Sequence, residues 1–402
     1  RRREIVIEDP AESGDDFVVT GGGYVNVGDG MNEVSIKSGS STVISGNASD
    51  VINVASSSSA RYDNVINAGA GNNYVNNSSV ERSTIQTATG DDTIITGGYY
   101  SSVNAGAGNN HITVNTSNNS TVMASTGNDF VTMKADSGSN VINVGGGNNT
   151  VYAGRGTNTV TAGSGNDVVN VGSGYINVGA GKNNVSISGG STKIISGDGD
   201  DTINVASSSS ARYDNIIFAG NGKNYINNSN VERSTIISGS GNDTITTGGY
   251  YSSINAGAGN DLINITTSSN NTIFAGAGND TVNLEGSSGS NILFFEGGNN
   301  LVKNMSTSDT IKIAGNVSTS VSGSDVVLTG ESAVVTLQGM YNKKYSVKDI
   351  SEFDLISFSI LDTVAVADTV EGDNTASASL ASGLSLNSSK TVEAINYCLK
   401  RW

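Results

Sequence analysis

The stretch Gly257-Ala258-Gly259-Asn260-Asp261-Leu262-Ile263 is one copy of a turn that recurs along this chain of 402 residues and decides its fold. The two glycines allow a tight turn with positive φ, and they leave carbonyl oxygens uncovered. An aspartate follows at a fixed offset, and the next apolar residue lies where a short strand would point inward. Carbonyl and carboxylate oxygens in a rigid turn are the hard ligands that Ca²⁺ prefers. The stretch therefore predicts a calcium-binding turn followed by a strand.

Copies of this motif turn follow one another at a nearly regular spacing. The first residue of each copy stands at position 28, 46, 69, 88, 106, 125, 145, 163, 179, 197, 220, 239, 257, 276 or 296. Most intervals are 16 to 20 residues long. Self-similarity of this kind is typical of a solenoid, in which each repeat buries its apolar stripe against the next one.

In this recurring turn the chain resembles the RTX (repeats-in-toxin, haemolysin-type) calcium-binding family, over roughly residues 21 to 304. The resemblance implies a parallel β-roll in which one coil contains two turns and two short strands. The motif turns would then stack in a single column along one edge. We predict an all-β fold, a parallel β-roll or β-solenoid of about fifteen rungs with a β-rich C-terminal cap.

The resemblance further implies that several calcium ions lie between neighbouring motif turns, held by turn carbonyls and by the motif aspartates. The matching aspartates are Asp50, Asp92, Asp129, Asp167, Asp201, Asp243, Asp261 and Asp280. The glycines of the strictest copies are Gly163, Gly165, Gly239, Gly241, Gly257, Gly259, Gly276 and Gly278. The alternative explanation is the ordinary preference of Asn and Asp for turns.

Seven motif turns depart from the family pattern because an amide replaces the carboxylate. These positions are Asn32, Asn73, Asn110, Asn149, Asn183, Asn224 and Asn300. An amide oxygen can also ligate a cation, but it brings no charge. We therefore expect weaker calcium binding at these turns.

A longer repeat lies on top of the short one, with an offset of 151 residues that relates Tyr24 to Tyr175. The loop 56–64 returns unchanged as 207–215, although a motif position such as Asn110 has become Asp261. Loops are normally the variable part of a fold. An unchanged loop predicts contact with a glycan or a neighbouring subunit through Arg61, Tyr62, Asp63, Arg212, Tyr213 and Asp214. A recent duplication that kept the loop by chance or by tyrosine packing is the alternative.

Two further segments recur at the same offset on the edge away from the motif turns. Residues 80–85, which include Arg82, return as 231–236, and Tyr99-Tyr100 returns as Tyr250-Tyr251. Surface Tyr and Arg side chains are common at interfaces. These segments indicate two equivalent surface sites, and a plain solvated surface is the alternative.

The organisation that follows has five parts. Residues 1–20 form an N-terminal strand or cap, 21–174 the first long repeat and 175–304 the second. Residues 305–350 form a β cap, and 351–402 form a tail for which docking, assembly and secretion all stay open.

The composition narrows the classes of function. A net charge of −16 argues against a nucleic-acid partner. Acidic turns would repel one another without cations, so calcium should be coupled to folding. His111 is the one histidine, and its counterpart in the second copy is Leu262. This excludes a histidine-dependent site that is repeated in both copies. We therefore predict no enzyme activity. The sequence contains no apolar run long enough for a transmembrane helix, so we predict no membrane insertion.

Together these patterns predict a secreted, extracellular calcium-binding protein with a structural or adhesive role at a cell surface, in a surface layer or in a matrix. Its partners would be calcium and either glycans or copies of itself. One alternative is the non-catalytic calcium module of a secreted enzyme or toxin. A second alternative is an ice-binding adhesin solenoid, which requires a flat, regular threonine face.

Overall fold

The computed structural model describes residues 6–8, 14–55, 63–97, 99–134, 138–206, 214–229, 231–266, 269–287 and 289–349. Four residues of the predicted recognition loops lie outside this described part: Arg61, Tyr62, Arg212 and Tyr213. The tail 351–402 lies outside it as well.

Short strands follow one another along the whole described chain. In chain order they are β1 (Val6–Glu8), β2 (Phe17–Thr20), β3 (Gly23–Gly28), β4 (Glu33–Ile36), β5 (Ser41–Ser45), β6 (Val51–Val54), β7 (Val65–Gly69), β8 (Tyr74–Asn77), β9 (Thr84–Thr87), β10 (Thr93–Thr96), β11 (Ser102–Asn104), β12 (His111–Val114), β13 (Thr121–Met123), β14 (Phe130–Met133), β15 (Val141–Asn143), β16 (Thr150–Ala153), β17 (Thr157–Thr161), β18 (Val168–Val171), β19 (Ser173–Asn177), β20 (Asn184–Ile187), β21 (Thr192–Ile195), β22 (Thr202–Val205), β23 (Ile216–Phe218), β24 (Tyr225–Asn228), β25 (Thr235–Ile237), β26 (Thr244–Thr247), β27 (Ser253–Asn255), β28 (Leu262–Ile265), β29 (Thr272–Gly276), β30 (Thr281–Asn283), β31 (Ile292–Phe295), β32 (Gly298–Lys303), β33 (Thr310–Ile313), β34 (Ser318–Ser322), β35 (Asp325–Thr329), β36 (Ala333–Leu337) and β37 (Ser346–Lys348).

These strands form two sheets that the chain visits in turn. The odd-numbered strands up to β33, together with β37, make the first sheet, and the even-numbered strands, together with β35, make the second. Within the roll, strands of neighbouring rungs pair in parallel: Ile94 of β10 lies between Val75 of β8 and Ile112 of β12. The predicted fold class is confirmed as an all-β parallel solenoid of about 14 turns, without a helix in the described part of the chain.

The core lies between the two sheets and follows from the alternation of side chains along each strand. Ile94, Ile112 and Val131 stack in register on the inner face of the second sheet, and all three are fully buried. Val103 and Val122 do the same in the first sheet. Burying each such side chain contributes about 1.5 to 3 kcal/mol relative to leaving it in water. Each rung is thus held mainly by the rungs on either side of it.

Both ends of the stack carry additional strands. At the N-terminal end β1 pairs with β3, placing Val6 opposite Tyr24. At the C-terminal end β34, β35 and β36 form an antiparallel meander, and β36 pairs in parallel with β32 of the roll. The predicted β-rich cap is therefore present. It covers strand positions that would otherwise expose unpaired backbone N–H and C=O groups.

The two edges of the solenoid differ in character. The motif edge connects each odd-numbered strand to the following even-numbered strand and holds all the motif turns. The opposite edge leads back to the first sheet, and residues 56–62 and 207–213, which lie between strands of this order, are outside the described part. The motif turns and the repeated Arg and Tyr segments therefore lie on opposite edges, separated by the width of the sheets.

Candidate calcium-binding edge

The glycines of the motif turns are required for two reasons. Gly257 and Gly259 have φ values of 90° and 145°, which side chains rarely adopt. In addition, a Cβ at Gly259 would collide with the carbonyl oxygen of Gly241 in the preceding rung. The same two conditions hold at the other predicted glycines: Gly163, Gly165, Gly239, Gly241, Gly276 and Gly278. Glycine at these positions lets neighbouring turns approach closely enough for their carbonyls to stack.

The fifth residue of each motif turn, Asp or Asn, is buried, and these residues form one row along the motif edge. We call it the buried row. Asp167 is only 1% exposed. Its Oδ1 accepts the backbone N–H of Asn149 at 2.8 Å, and its own N–H donates to Oδ1 of Asn183 at 2.9 Å. Each turn is thus linked to the next through one side-chain oxygen.

The fourth residue of each motif turn forms a second, exposed row with the opposite polarity. The N–H of Asn166 donates to Oδ1 of Asn148 at 2.7 Å, and the N–H of Lys182 donates to Oδ1 of Asn166 at 2.7 Å. In the buried row the acceptor belongs to the later rung, whereas here it belongs to the earlier one. Neighbouring turns are therefore hydrogen-bonded in both directions.

The second oxygen of every predicted aspartate lacks a protein partner. Oδ2 is buried without a hydrogen bond to any described residue at Asp50, Asp92, Asp129, Asp167, Asp201, Asp243, Asp261 and Asp280. An unsatisfied buried polar group costs about 1 to 3 kcal/mol, and more if it is charged. Each of these oxygens has the chemistry of a ligand for a hard cation.

Burial raises the pKa of all eight carboxyl groups, because desolvation penalises the charged form. The pKa rises to about 6 at Asp167 and to about 7 at Asp201. Backbone N–H donors oppose this effect at all eight groups, and nearby amide or hydroxyl side chains oppose it at all but Asp261 and Asp280, but these donors do not cancel it. These carboxylates therefore ionise reluctantly unless a positive charge compensates them.

A hydroxyl group lies beside four of the carboxylates without satisfying them. Ser196 adjoins Asp201 and partly lowers its pKa. Its hydroxyl proton, however, is donated to the carbonyl of Ala219 in the next rung at 3.0 Å. Three other hydroxyl groups also adjoin a carboxylate and donate their proton to a carbonyl of the next rung: Ser45 beside Asp50, Thr87 beside Asp92 and Ser238 beside Asp243.

Three successive turns place their carboxylates directly next to one another. The N–H of Asp243 donates to Oδ1 of Asp261 at 2.8 Å, and the N–H of Asp261 donates to Oδ1 of Asp280 at 3.0 Å. Burial, with a smaller contribution from the adjacent charges of Asp280 and Asp243, raises the pKa of Asp261 to about 7. This segment has the highest local density of buried acid in the described row.

The described residues contain no group of three or more His, Cys, Asp or Glu side chains that could hold a metal ion by themselves. An ion on the motif edge would therefore need backbone carbonyls in addition to one or two carboxylates. Stacked glycine turns supply such carbonyls, which agrees with the oxygen-rich coordination of Ca²⁺.

The repeated Arg and Tyr residues lie at two similar surface sites on the opposite edge. Arg82 Nε lies 3.1 Å from Asp63 Oδ1, and both side chains are exposed. With Tyr100 they border a shallow cleft of about 470 Å³. We name this the first edge cleft.

The second edge cleft repeats this arrangement in the second long repeat. Arg233 Nε lies 3.0 Å from Asp214 Oδ1. Arg233, Glu232, Tyr250 and Tyr251 border a cleft of about 420 Å³. Of the six predicted loop residues, Asp63 borders the first edge cleft and Asp214 pairs with Arg233 of the second, and the other four lie outside the described residues.

Comparison with known proteins agrees with the resemblance drawn from the turns. The family model of the RTX calcium-binding nonapeptide repeat (four copies) matches residues 60–79, 86–120, 135–174, 237–264 and 265–302. The chain therefore carries RTX calcium-binding repeats over these residues, and repeats of this family bind calcium. RTX repeat proteins are typically secreted, and no helix in the described part has the length and hydropathy to span a membrane.

Two solved structures are weakly similar to this chain. One is a hyperactive, Ca²⁺-dependent, β-helical antifreeze protein from an Antarctic bacterium, with 20% identity and a TM-score of 0.30 over 77% of this chain and 83% of that one. The other is the extracellular lipase LipA from Serratia marcescens, with 17% identity and a TM-score of 0.22 over 55% of this chain and 42% of that one. A search of the curated proteins finds no match. Both structural likenesses are too weak to bear on function.

Proposed function

We propose that this chain is a secreted, non-catalytic RTX β-roll whose motif edge binds several calcium ions. The observation that carries the proposal is the row of buried carboxylate oxygens without a protein partner, one at each of the eight motif aspartates. The aspartates and the carbonyls of the motif glycines would hold the ions. Bound calcium would supply positive charge that neutralises the buried row and joins successive turns.

Direct counting of bound calcium tests this proposal. Equilibrium dialysis of the full chain against micromolar Ca²⁺ with millimolar Mg²⁺ is expected to give several bound calcium ions per chain. Mg²⁺ should not displace them, because it requires near-ideal octahedral geometry and is reluctant to lose its water. Dialysis that leaves no calcium above the protein-free control would refute the proposed function.

We further propose that the rod acts as a structural or adhesive element outside the cell, with the two edge clefts as its contact sites. Each cleft is bordered by an Arg that pairs with an Asp and by at least one Tyr. Exposed Arg and Tyr side chains are well suited to contact glycans or copies of the same chain. The clefts lie on the opposite edge, so occupying them would not disturb the motif turns.

A double substitution of the cleft arginines tests the contact role. The variant Arg82→Ala with Arg233→Ala is expected to bind calcium and fold as the wild type does, because an exposed ion pair contributes about 0 to 1 kcal/mol. It should nevertheless lose at least tenfold in calcium-dependent self-assembly, measured by light scattering, or in binding on a glycan array. Arg155→Ala, which changes another exposed arginine of the same edge, is the control. Equal behaviour of the double variant and wild type in both assays would remove the clefts from the proposal.

The outer faces do not support the ice-binding alternative. An ice-binding solenoid needs a regular row of threonines, whereas Thr93 is followed in register by His111 and then by Phe130. On the other sheet Tyr175 is followed by Lys193. Asparagine does stack with asparagine, for example Asn204 with Asn227, but only over short runs.

A further inference from the structure

Asparagine and aspartate alternate along the buried row without exception over twelve consecutive turns. The order along the rod is Asn32, Asp50, Asn73, Asp92, Asn110, Asp129, Asn149, Asp167, Asn183, Asp201, Asn224 and Asp243. Only beyond this point do charged residues follow one another, at Asp261 and Asp280, before Asn300 ends the row. All fifteen side chains are at most 2% exposed. The alternation therefore concerns buried groups with fixed surroundings.

The first oxygen of the side chain has the same role in both residue types. Oδ1 of Asn149 accepts the N–H of Asp129 at 2.9 Å, just as Oδ1 of Asp167 accepts the N–H of Asn149 at 2.8 Å. This bond also fixes the orientation of the amide, because a flipped amide would place its NH₂ group against a backbone N–H donor. Asparagine and aspartate can therefore replace one another without breaking the row.

The second atom of the side chain separates the two types. Nδ2 of Asn149 donates to the carbonyls of Gly145 at 3.2 Å, Gly147 at 3.0 Å and Ala162 at 3.2 Å. Nδ2 of Asn183 bonds to the matching carbonyls of Gly179, Gly181 and Ser196 at 3.0 to 3.2 Å. The first two carbonyls belong to its own turn and the third to the next rung.

At the aspartate turns, the equivalent atom is an oxygen that no described residue partners. A carboxylate cannot donate to carbonyls, so a cation is needed to join it to them. At the asparagine turns, the two hydrogens of the amide are shared among one to three of these carbonyls, and the NH₂ group already occupies that place. Oδ1 keeps a second lone pair, but a cation at these carbonyls would lie against the positively polarised NH₂ group that already donates to them.

We propose that the asparagine turns are built to stay free of metal and that calcium loads the aspartate turns alone. The ions would occupy every second rung from Asp50 to Asp201 and three consecutive rungs at Asp243, Asp261 and Asp280. This rests on the proposed calcium function and assigns its sites within the buried row. The sequence predicted weaker calcium sites at the asparagine turns, with the amide oxygen as a ligand. The proposal instead predicts no site there, because the amide nitrogen occupies the position of the ion.

Electrostatics gives a reason for the alternation. Rungs of a parallel stack are about 4.8 Å apart, so alternate rungs are about 9.6 Å apart. Doubling the distance halves the Coulomb repulsion between two ions in the same medium. Asparagine in the intervening turn keeps the hydrogen-bonded row continuous while separating the charges.

The stoichiometry of tightly bound calcium tests the proposal. Equilibrium dialysis at micromolar Ca²⁺ in excess Mg²⁺ should give no more than eight ions for wild type. Asn149→Asp should raise the wild-type number by one, and Asp167→Asn should lower it by one while the circular dichroism spectrum in calcium stays that of the folded roll. Asn148→Asp is the matched control: it adds the same charge one residue away at an exposed position and should leave the number unchanged.

Different results would overturn the assignment of calcium to the aspartate turns and the calcium binding itself. Wild-type binding of about one ion for every motif turn, including the asparagine turns, would overturn the inference but leave the proposed function standing. An unchanged number in Asn149→Asp, with the variant folded, would also overturn it. If that variant does not fold, the wild-type number and the Asp167→Asn variant decide. Absence of any bound calcium in wild type would instead remove the proposed function itself.

Discussion

Chelation of calcium at pH 8 is expected to abolish most of the strand signal of the wild-type protein in far-UV circular dichroism. At this pH the eight buried carboxyl groups are driven to ionise, and each then holds a charged oxygen without a partner. At about 1 to 3 kcal/mol or more for each such group, their sum rivals or exceeds the net stability of about 5 to 15 kcal/mol that folded domains have. Calcium and folding should therefore be coupled.

The measurement compares spectra in calcium, in magnesium and in chelator. Calcium should restore the strand signal to chelated protein, and magnesium at the same concentration should restore far less of it. The repeats contact mainly their neighbours, so loss of structure is expected to be progressive along the rod instead of all-or-none. Identical spectra in chelator and in calcium would show that the carboxylates do not depend on the ion.

Lowering the pH is expected to stabilise the metal-free protein. The pKa of Asp167, Asp243 and Asp280 is raised to about 6, and that of Asp201 and Asp261 to about 7, from an ordinary value of 3.8. Between these values the folded state binds more protons than the unfolded state. The contribution of these carboxyl groups to the free energy of unfolding is thus fully present below about pH 4 and is lost as pH rises through 6 to 7. Each unit of raised pKa corresponds to about 1.4 kcal/mol.

Far-UV circular dichroism and thermal melts of protein freed of metal on a chelating resin, from pH 8 down to pH 5, measure this effect. The strand signal lost at pH 8 should return on acidification, and melting midpoints are compared at the pH values where the metal-free protein is folded. The midpoint should rise by at least several degrees on acidification, because protons neutralise the row when calcium is absent. In saturating calcium the same change of pH should give no such rise, since the ion already supplies the charge. A metal-free midpoint that is flat or falls toward pH 5 would contradict the raised pKa values.

The sequence was sufficient for the fold because the fold is repetitive. Turn glycines with a fixed offset to an apolar residue specify a strand and its inward face, and the repetition specifies parallel stacking. The inward residues, such as Ile112 and Ile263, are fully buried as this pattern requires. The aspartates of the motif turns could likewise be located in one row.

The detailed chemistry of the row could not be predicted from the chain alone. The bonds that distinguish Asn149 from Asp167 depend on which amide atom faces a backbone N–H of another rung, about twenty residues away in sequence. Turn propensity treats Asn and Asp as equivalent. The pairing of Arg82 with Asp63 was equally hidden, because the two residues come from adjacent rungs of the opposite edge.

The unequal length of the rungs has a practical consequence for engineering. Asp167 and Asn183 are joined across 16 residues, and Asp201 and Asn224 across 23, yet both pairs make the same hydrogen bond. The difference lies in the segment between the even-numbered strand and the next odd-numbered one: one residue separates β18 from β19, and residues 206–215 separate β22 from β23. A foreign peptide grafted into that segment would be displayed at intervals fixed by the backbone spacing, while the ion-binding turns keep their register. We therefore expect the opposite edge to accept insertions while the motif edge stays unchanged.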